Sequence, residues 1–177
     1  MASGMESTTP SNIDSLLLDA TQRPLDGAAQ LRAAYACDNQ ARESEAVAFY
    51  DAAWKLGLDL PASEKHGFMI GYGSTLKNVG RLEESERVLR QLREEAPSSG
   101  AARVFLALTL HAGGHLNAAI VELLDLALAQ KDRDETLKRY ERSISFYRSG
   151  ISDKAGSKTD TSPDFRARGP LGSNRTP

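Results

Sequence analysis

Two stretches of this chain carry the same signal 34 residues apart. GYGSTLKNVGRLEESERVLRQL begins at Gly71, and FLALTLHAGGHLNAAIVELLDL begins at Phe105. At that offset Gly80 falls on Gly114, Leu82 on Leu116, Ser85 on Ala119, Leu89 on Leu123 and Leu92 on Leu126. An earlier copy, ACDNQARESEAVAFYDAAWKLG, places Ala46, Tyr50 and Ala53 on the same spacings. Self-similarity at this period marks a stack of helical hairpins, because one hairpin cannot bury its apolar face alone. Stacks of this kind serve as binding surfaces more often than as enzymes.

The composition narrows the classes of partner. With 22 basic and 24 acidic residues, the formal net charge is -2. That balance gives no long-range field for nucleic acid or anionic lipid. No apolar run approaches the roughly 18 residues of a membrane span. The start, MASGMESTTPSN, lacks both the basic and the apolar region of a secretory signal. A cytoplasmic location is therefore expected. Hydrophobic residues make up 40% and aromatics only 6%, so alanine and leucine do most of the packing. Small residues of this kind suit helices that approach closely.

Turn and cap residues divide the chain into helices. Residues 1–12 are small and polar and read as a disordered N-terminus. A short helix with Ile13, Leu16 and Leu17 on one side follows, and Pro24 ends it. Asp26 can cap the next, through about Asn39. Another spans about Arg42 to Leu56 and stops at Gly57. Ser63-Glu64 opens a helix that closes at Gly80, and Leu82 to Glu95 is its partner, stopped by Pro97. Ser98 or Ser99 caps a helix ending in Gly113-Gly114, and Leu116 to Gln130 pairs with it. That last helix is apolar over most of its circumference, so an element must cover it. Asp134 to Gly150 supplies one, with Leu137, Tyr140, Ile144 and Tyr147 or Ile151 inward and Lys138, Arg139, Glu141, Arg142 and Arg148 outward. Residues 13–151 form the expected domain, and 152–177 read as a disordered tail.

At these residues the chain resembles the tetratricopeptide repeat family. The family pattern is a small residue in the first helix, a turn glycine, a small residue in the second helix, a large apolar residue four later and a closing proline. The middle copy carries Gly73, Gly80, Ser85, Leu89 and Pro97. The third carries Ala107, Gly114, Ala119 and Leu123, with Lys131 in place of the proline. The first has Ala34 and Ala41 where the others have glycine or alanine and the turn glycine. YGSTLKNVGRLEESERVL followed by RVFLALTLHAGG is similar to a small, mostly bacterial group of these repeats. The resemblance implies an all-α fold: a right-handed superhelical stack of about three hairpins, with an N-terminal helix and a C-terminal capping helix. It also implies protein or peptide binding and no reaction.

Residues that suggest chemistry have plainer readings. His111 and His115 have the spacing of two metal ligands on one helix, but Gly113 and Gly114 break the helix between them. Cys37 sits on an alanine-rich helix and reads as a small buried hydrophobe. GYGS at Gly71 lacks the lysine and the preceding strand of a phosphate loop. No catalytic residue, metal site or cofactor is expected.

The family's inner wall is lined by the first helix of each hairpin. Carried onto this sequence, the resemblance implies Leu31, Tyr35, Asp38 and Asn39, then Ile70, Ser74, Lys77 and Asn78, then Val104, Leu108, His111 and Ala112. These form an apolar strip with a polar edge. The expected occupant is a protein or peptide segment. The alternative is a homo-oligomeric module whose groove is filled by its own termini or a second subunit.

Overall fold

The computed structural model of the chain describes residues 12–155. Among them are eight α-helices, one 3-10 turn and no strand. The helices are α1 (Asn12–Gln22), α2 (Gly27–Asp38), α3 (Glu43–Leu56), α4 (Ala62–Asn78), α5 (Leu82–Glu95), α6 (Gly100–Ala112), α7 (Leu116–Leu128) and α8 (Glu135–Ala155). The 3-10 turn, Lys131–Arg133, joins α7 to α8. The two segments read as disordered lie outside the described residues, except that Asn12 opens α1 and residues 152–155 end α8.

Local chemistry fixes the helix ends. The Asp26 carboxylate accepts from the Ala29 backbone N–H at 3.0 Å, and the Ser99 hydroxyl accepts from Ala102 at 3.2 Å. Each satisfies a donor that the first helical turn leaves open. The three hairpin turns are copies of one another. The Arg42, Arg81 and His115 N–H groups bond back to the Cys37, Leu76 and Leu110 carbonyls at 3.0, 2.8 and 2.8 Å. Ala41, Gly80 and Gly114 bond to Asp38, Lys77 and His111 at 2.9, 3.1 and 3.0 Å. This paired closure needs a left-handed residue in the turn, with φ of +54°, +82° and +80° at the three positions. At the first position the residue is alanine, the only non-glycine with positive φ among the described residues.

A left-handed alanine is strained by roughly 1–2 kcal/mol, part of which glycine returns through its larger unfolded-state entropy. Ala41→Gly should therefore raise the unfolding free energy by roughly 0.5–1 kcal/mol. Gly114→Ala should lower it by a similar amount. Thermal and urea midpoints of the two variants check the opposed signs.

Hairpins α2–α3, α4–α5 and α6–α7 stack in chain order, each against the next. α1 lies on α2 and α8 lies on α7. The first helices come close along their backbones, α2 against α4 and α4 against α6, whereas the backbones of the second helices stay farther apart and α5 reaches α7 through the Arg93–Glu122 ion pair. The stack is therefore tighter on the α2, α4, α6 side.

The core follows the repeat. Ala46, Ser85 and Ala119 are all buried where the two helices of a hairpin meet. The Ser85 hydroxyl donates to the Gly73 carbonyl at 2.7 Å and lies 2.9 Å from the Thr109 hydroxyl. Tyr50 and Leu89 are fully buried at equivalent positions on α3 and α5. The following first helix covers each: Phe68 and Tyr72 of α4 flank Tyr50, and Leu106, Ala107 and Leu110 of α6 cluster with Leu89.

The C-terminal end departs from the sequence expectation. Leu123, the third member of that series, is 47% exposed rather than filling a gap. Its covering helix would have to stack on α6, but α8 packs along α7 instead. Arg148, expected outside, faces inward and donates to both Asp125 oxygens at 2.9 and 3.1 Å. Tyr140, expected inside, is exposed; of the two alternatives Tyr147 and Ile151, Ile151 is half-buried and Tyr147 exposed, and Leu137 and Ile144 are half-buried. The Arg148–Asp125 pair, together with Lys131–Glu141, sets the rotation of α8.

Candidate functional site

The tight side of the stack carries the residues expected on the inner wall, and it divides them into structural and exposed members. Leu31 lies in the core with Ile13 and offers no surface. Its cover is α1, which closes over α2. Asp38 is half-buried and engaged by its own chain: Tyr50 donates to Oδ2 at 3.1 Å and Thr75 to Oδ1 at 3.2 Å. It ties α2 to α3 and α4 rather than facing outward. Burial and the adjacent Asp38 push the Tyr50 hydroxyl well above the usual phenol range, so it stays a donor.

The remaining members leave atoms accessible. Tyr35 is 36% exposed and sets its ring edge-on to Tyr50 at 5.9 Å between centroids. It leans on α4 where Gly71 leaves room; a Cβ there would lie 3.7 Å from the Tyr35 ring and 2.6 Å from the Tyr50 hydroxyl. Burial raises the Tyr35 hydroxyl, so it too remains protonated near neutrality. Ile70, Ser74 and Val104 are half-buried. Leu108, at the position equivalent to Tyr35 and Ser74, is 49% exposed. Asn39, Asn78, His111 and Ala112 are exposed, and Lys77 donates to the Asn78 side-chain oxygen at 2.7 Å. The wall thus carries partly accessible apolar side chains, Tyr35, Ile70, Val104 and Leu108, with Ser74 between them and Asn39, Lys77, Asn78 and His111 along the edge.

An open cleft of about 390 Å³ adjoins this wall between α1 and α2. Ile13, Leu16 and Ala36 form its floor, with Tyr35, Asn39, Arg32 and Gln40 around it. The sequence reading missed the part played by α1. The signal was present in the one-sided Ile13, Leu16 and Leu17 pattern, which shows that α1 is amphipathic but not which helix it covers.

A second cleft, of about 210 Å³, lies on the side of the second helices. It is occupied by ion pairs. Arg81 donates to Asp51 at 2.7 Å and to both Glu84 oxygens at 2.6 and 2.7 Å, and Tyr72 donates to Asp51 at 2.6 Å. Hydrogen bonds to Glu84 and then Asp51 raise the Arg81 guanidinium above its usual range. Arg42 forms the same two-pronged bond with Glu45 at the start of α3. Third-hairpin counterparts are His115 and Ala118, which cannot repeat it.

Cys37 is fully buried, and burial raises its thiol above the ordinary range. His115 precedes α7 and His111 lies in the last turn of α6. No group of three or more His, Cys, Asp or Glu among the described residues could hold a metal ion. No described helix is long and apolar enough to cross a membrane.

Three stacked helical hairpins with matching turns and matching small-residue contacts define a helical repeat array. A family model described as tetratrico peptide repeat matches residues 27–151, and the chain belongs to that family. The match begins at the first residue of α2 and includes most of α8. Neither the comparison with curated proteins nor that with solved structures gave a match. Repeats of this family are in general protein-interaction scaffolds without catalytic activity.

Proposed function

We propose that the wall formed by α2, α4 and α6 binds a protein or peptide segment. The observation that carries this reading is the alignment of accessible apolar side chains across the three first helices. Tyr35 and Leu108 stand at equivalent positions on α2 and α6, with Ile70 and Val104 half-buried beside them. A few well-packed anchors, tyrosine prominent among them, carry most of the energy at an interface. Asn39, Lys77, Asn78 and His111 along the edge orient the ligand by hydrogen bonding. Leu31 and Asp38 support the wall from behind. The cleft beside α1 extends it and suits one further apolar side chain of the ligand. The protein then acts as a non-catalytic scaffold.

Selection of a displayed random-peptide library on the immobilised protein provides ligands for the test. Binding of enriched peptides, read by fluorescence anisotropy, should weaken at least tenfold in Tyr35→Ala and in Leu108→Ala, with the helical circular dichroism unchanged. Lys77→Glu should weaken acidic peptides further, most of all at low salt. Arg87→Glu, on the exposed side of α5, should bind as the parent does. Binding lost in Arg87→Glu and kept in both wall variants would place the site on the opposite surface.

A further inference from the structure

The helices at the two ends of the array are held differently. α1 carries buried Ile13 and Ala20, and the buried Gln30 side chain donates to the Ala20 carbonyl at 2.7 Å. In α8 none of residues 135–153 is buried, and the inward Leu137, Ile144 and Ile151 are half-buried. The ion pairs that hold it, Arg148–Asp125 and Lys131–Glu141, have side chains 26% to 41% exposed. Pairs as exposed as these contribute little net stability. Release of α8 would strand no charge. Asp125 would keep Arg103, 4.0 Å away, and Lys131 and Glu141 would rehydrate. α8 also carries its own cap: Asp134 accepts from the Thr136 and Leu137 N–H groups at 2.8 and 3.1 Å, without help from α7.

We infer that α8 is a strap, which lifts off α7 as one unit while α1–α7 stay folded. It turns about residues 132–134, all exposed. Segments with few buried contacts open locally at lower free energy than the core does. The open form uncovers Val121 and Leu128, which share the α7 face of Asp125 and are half-buried when α8 is docked. Salt favours the open form, because it screens both ion pairs. The strap works whether or not the inner wall holds a ligand.

Amide hydrogen exchange of the full chain, read by mass spectrometry, tests this without any ligand. Peptides throughout residues 135–151 should exchange roughly tenfold faster than those of α2–α6, and faster than those of α1 at the other end. Raising sodium chloride to about 1 M should speed exchange in α8 and leave α2–α6 unchanged. Arg148→Met keeps an apolar stem and removes the charge; it should speed α8 at low salt and reduce the salt response. Tyr50→Phe, which weakens the contact between the first two hairpins, should speed the slowest amides of α2–α6 but not those of α8. Exchange in α8 as slow as in α2–α6 overturns the proposal. So does a gradient in which residues 135–145 keep the protection of α7 and only the far end frays. So does exchange in α8 that rises with the core in Tyr50→Phe, or that ignores both salt and Arg148→Met.

Discussion

Tyr50→Ala should lower the unfolding free energy by about 3–5 kcal/mol, as removal of a large buried aromatic does elsewhere. Tyr50 is fully buried where the first hairpin meets the second. Its ring lies 6.1 Å from Phe68, 5.8 Å from Tyr72 and 5.9 Å from Tyr35. Truncation would empty the centre of this aromatic cluster. It would also remove the donor to Asp38, whose other oxygen is held by Thr75 at 3.2 Å. Tyr50→Phe separates the contributions: it keeps the ring and should cost about 1 kcal/mol for the lost hydrogen bond. Urea unfolding of the two variants gives both numbers. A loss below 1 kcal/mol for Tyr50→Ala would mean that the first two hairpins do not depend on this contact.

Gly73→Leu should be nearly as damaging, at roughly 3 kcal/mol, through overpacking. A Cβ on Gly73 would lie 2.7 Å from Leu89 Cγ, 2.9 Å from Cδ2 and 3.2 Å from Cδ1. Leu89 cannot swing away, because it is fully buried and packed against Leu106, Ala107 and Leu110. The clash therefore transmits to α6. Leu89→Ala alone leaves a cavity, but combined with Gly73→Leu it makes room for the new side chain. The pair should be strongly non-additive, with the double variant more stable than the sum of the single losses. Additive losses would show that the two residues do not meet.

The repeat was legible because its physical requirements fall on single residues. Asp26 and Ser99 cap helices by side-chain hydrogen bonds that only short polar residues make. Gly80 and Gly114 occupy left-handed turns, and Ala46, Ser85 and Ala119 allow close approach. The orientation of α8 was less legible. Its sequence offers two faces, Leu137–Ile144–Ile151 and Tyr140–Tyr147, and apolar periodicity does not choose between them. The choice is made by Arg148 meeting Asp125 across 23 residues of chain. The exposure of Leu123 was hidden for a related reason: a stacking residue is buried only when a following helix stacks on it. Within the candidate wall, the family resemblance named Tyr35, Leu108, Asn39 and Asn78, and these four are exposed. It could not show that α1 covers Leu31, or that Thr75 and Tyr50 claim Asp38.

The polar ties between hairpins bear on recognition. Asp51 of α3 holds both Tyr72 of α4 and Arg81 at the next turn, Ser85 of α5 touches Thr109 of α6, and Glu122 of α7 receives Arg93 and Arg103. Directional bonds of this kind resist sliding of one hairpin over its neighbour more strongly than apolar contact does. If these ties make each joint stiff, the spacing of Tyr35 from Leu108 is set before any ligand arrives. A segment laid along that wall would have to match a fixed ruler. Its own loss of freedom, rather than reorganisation of the repeat, would then set the entropic limit on affinity.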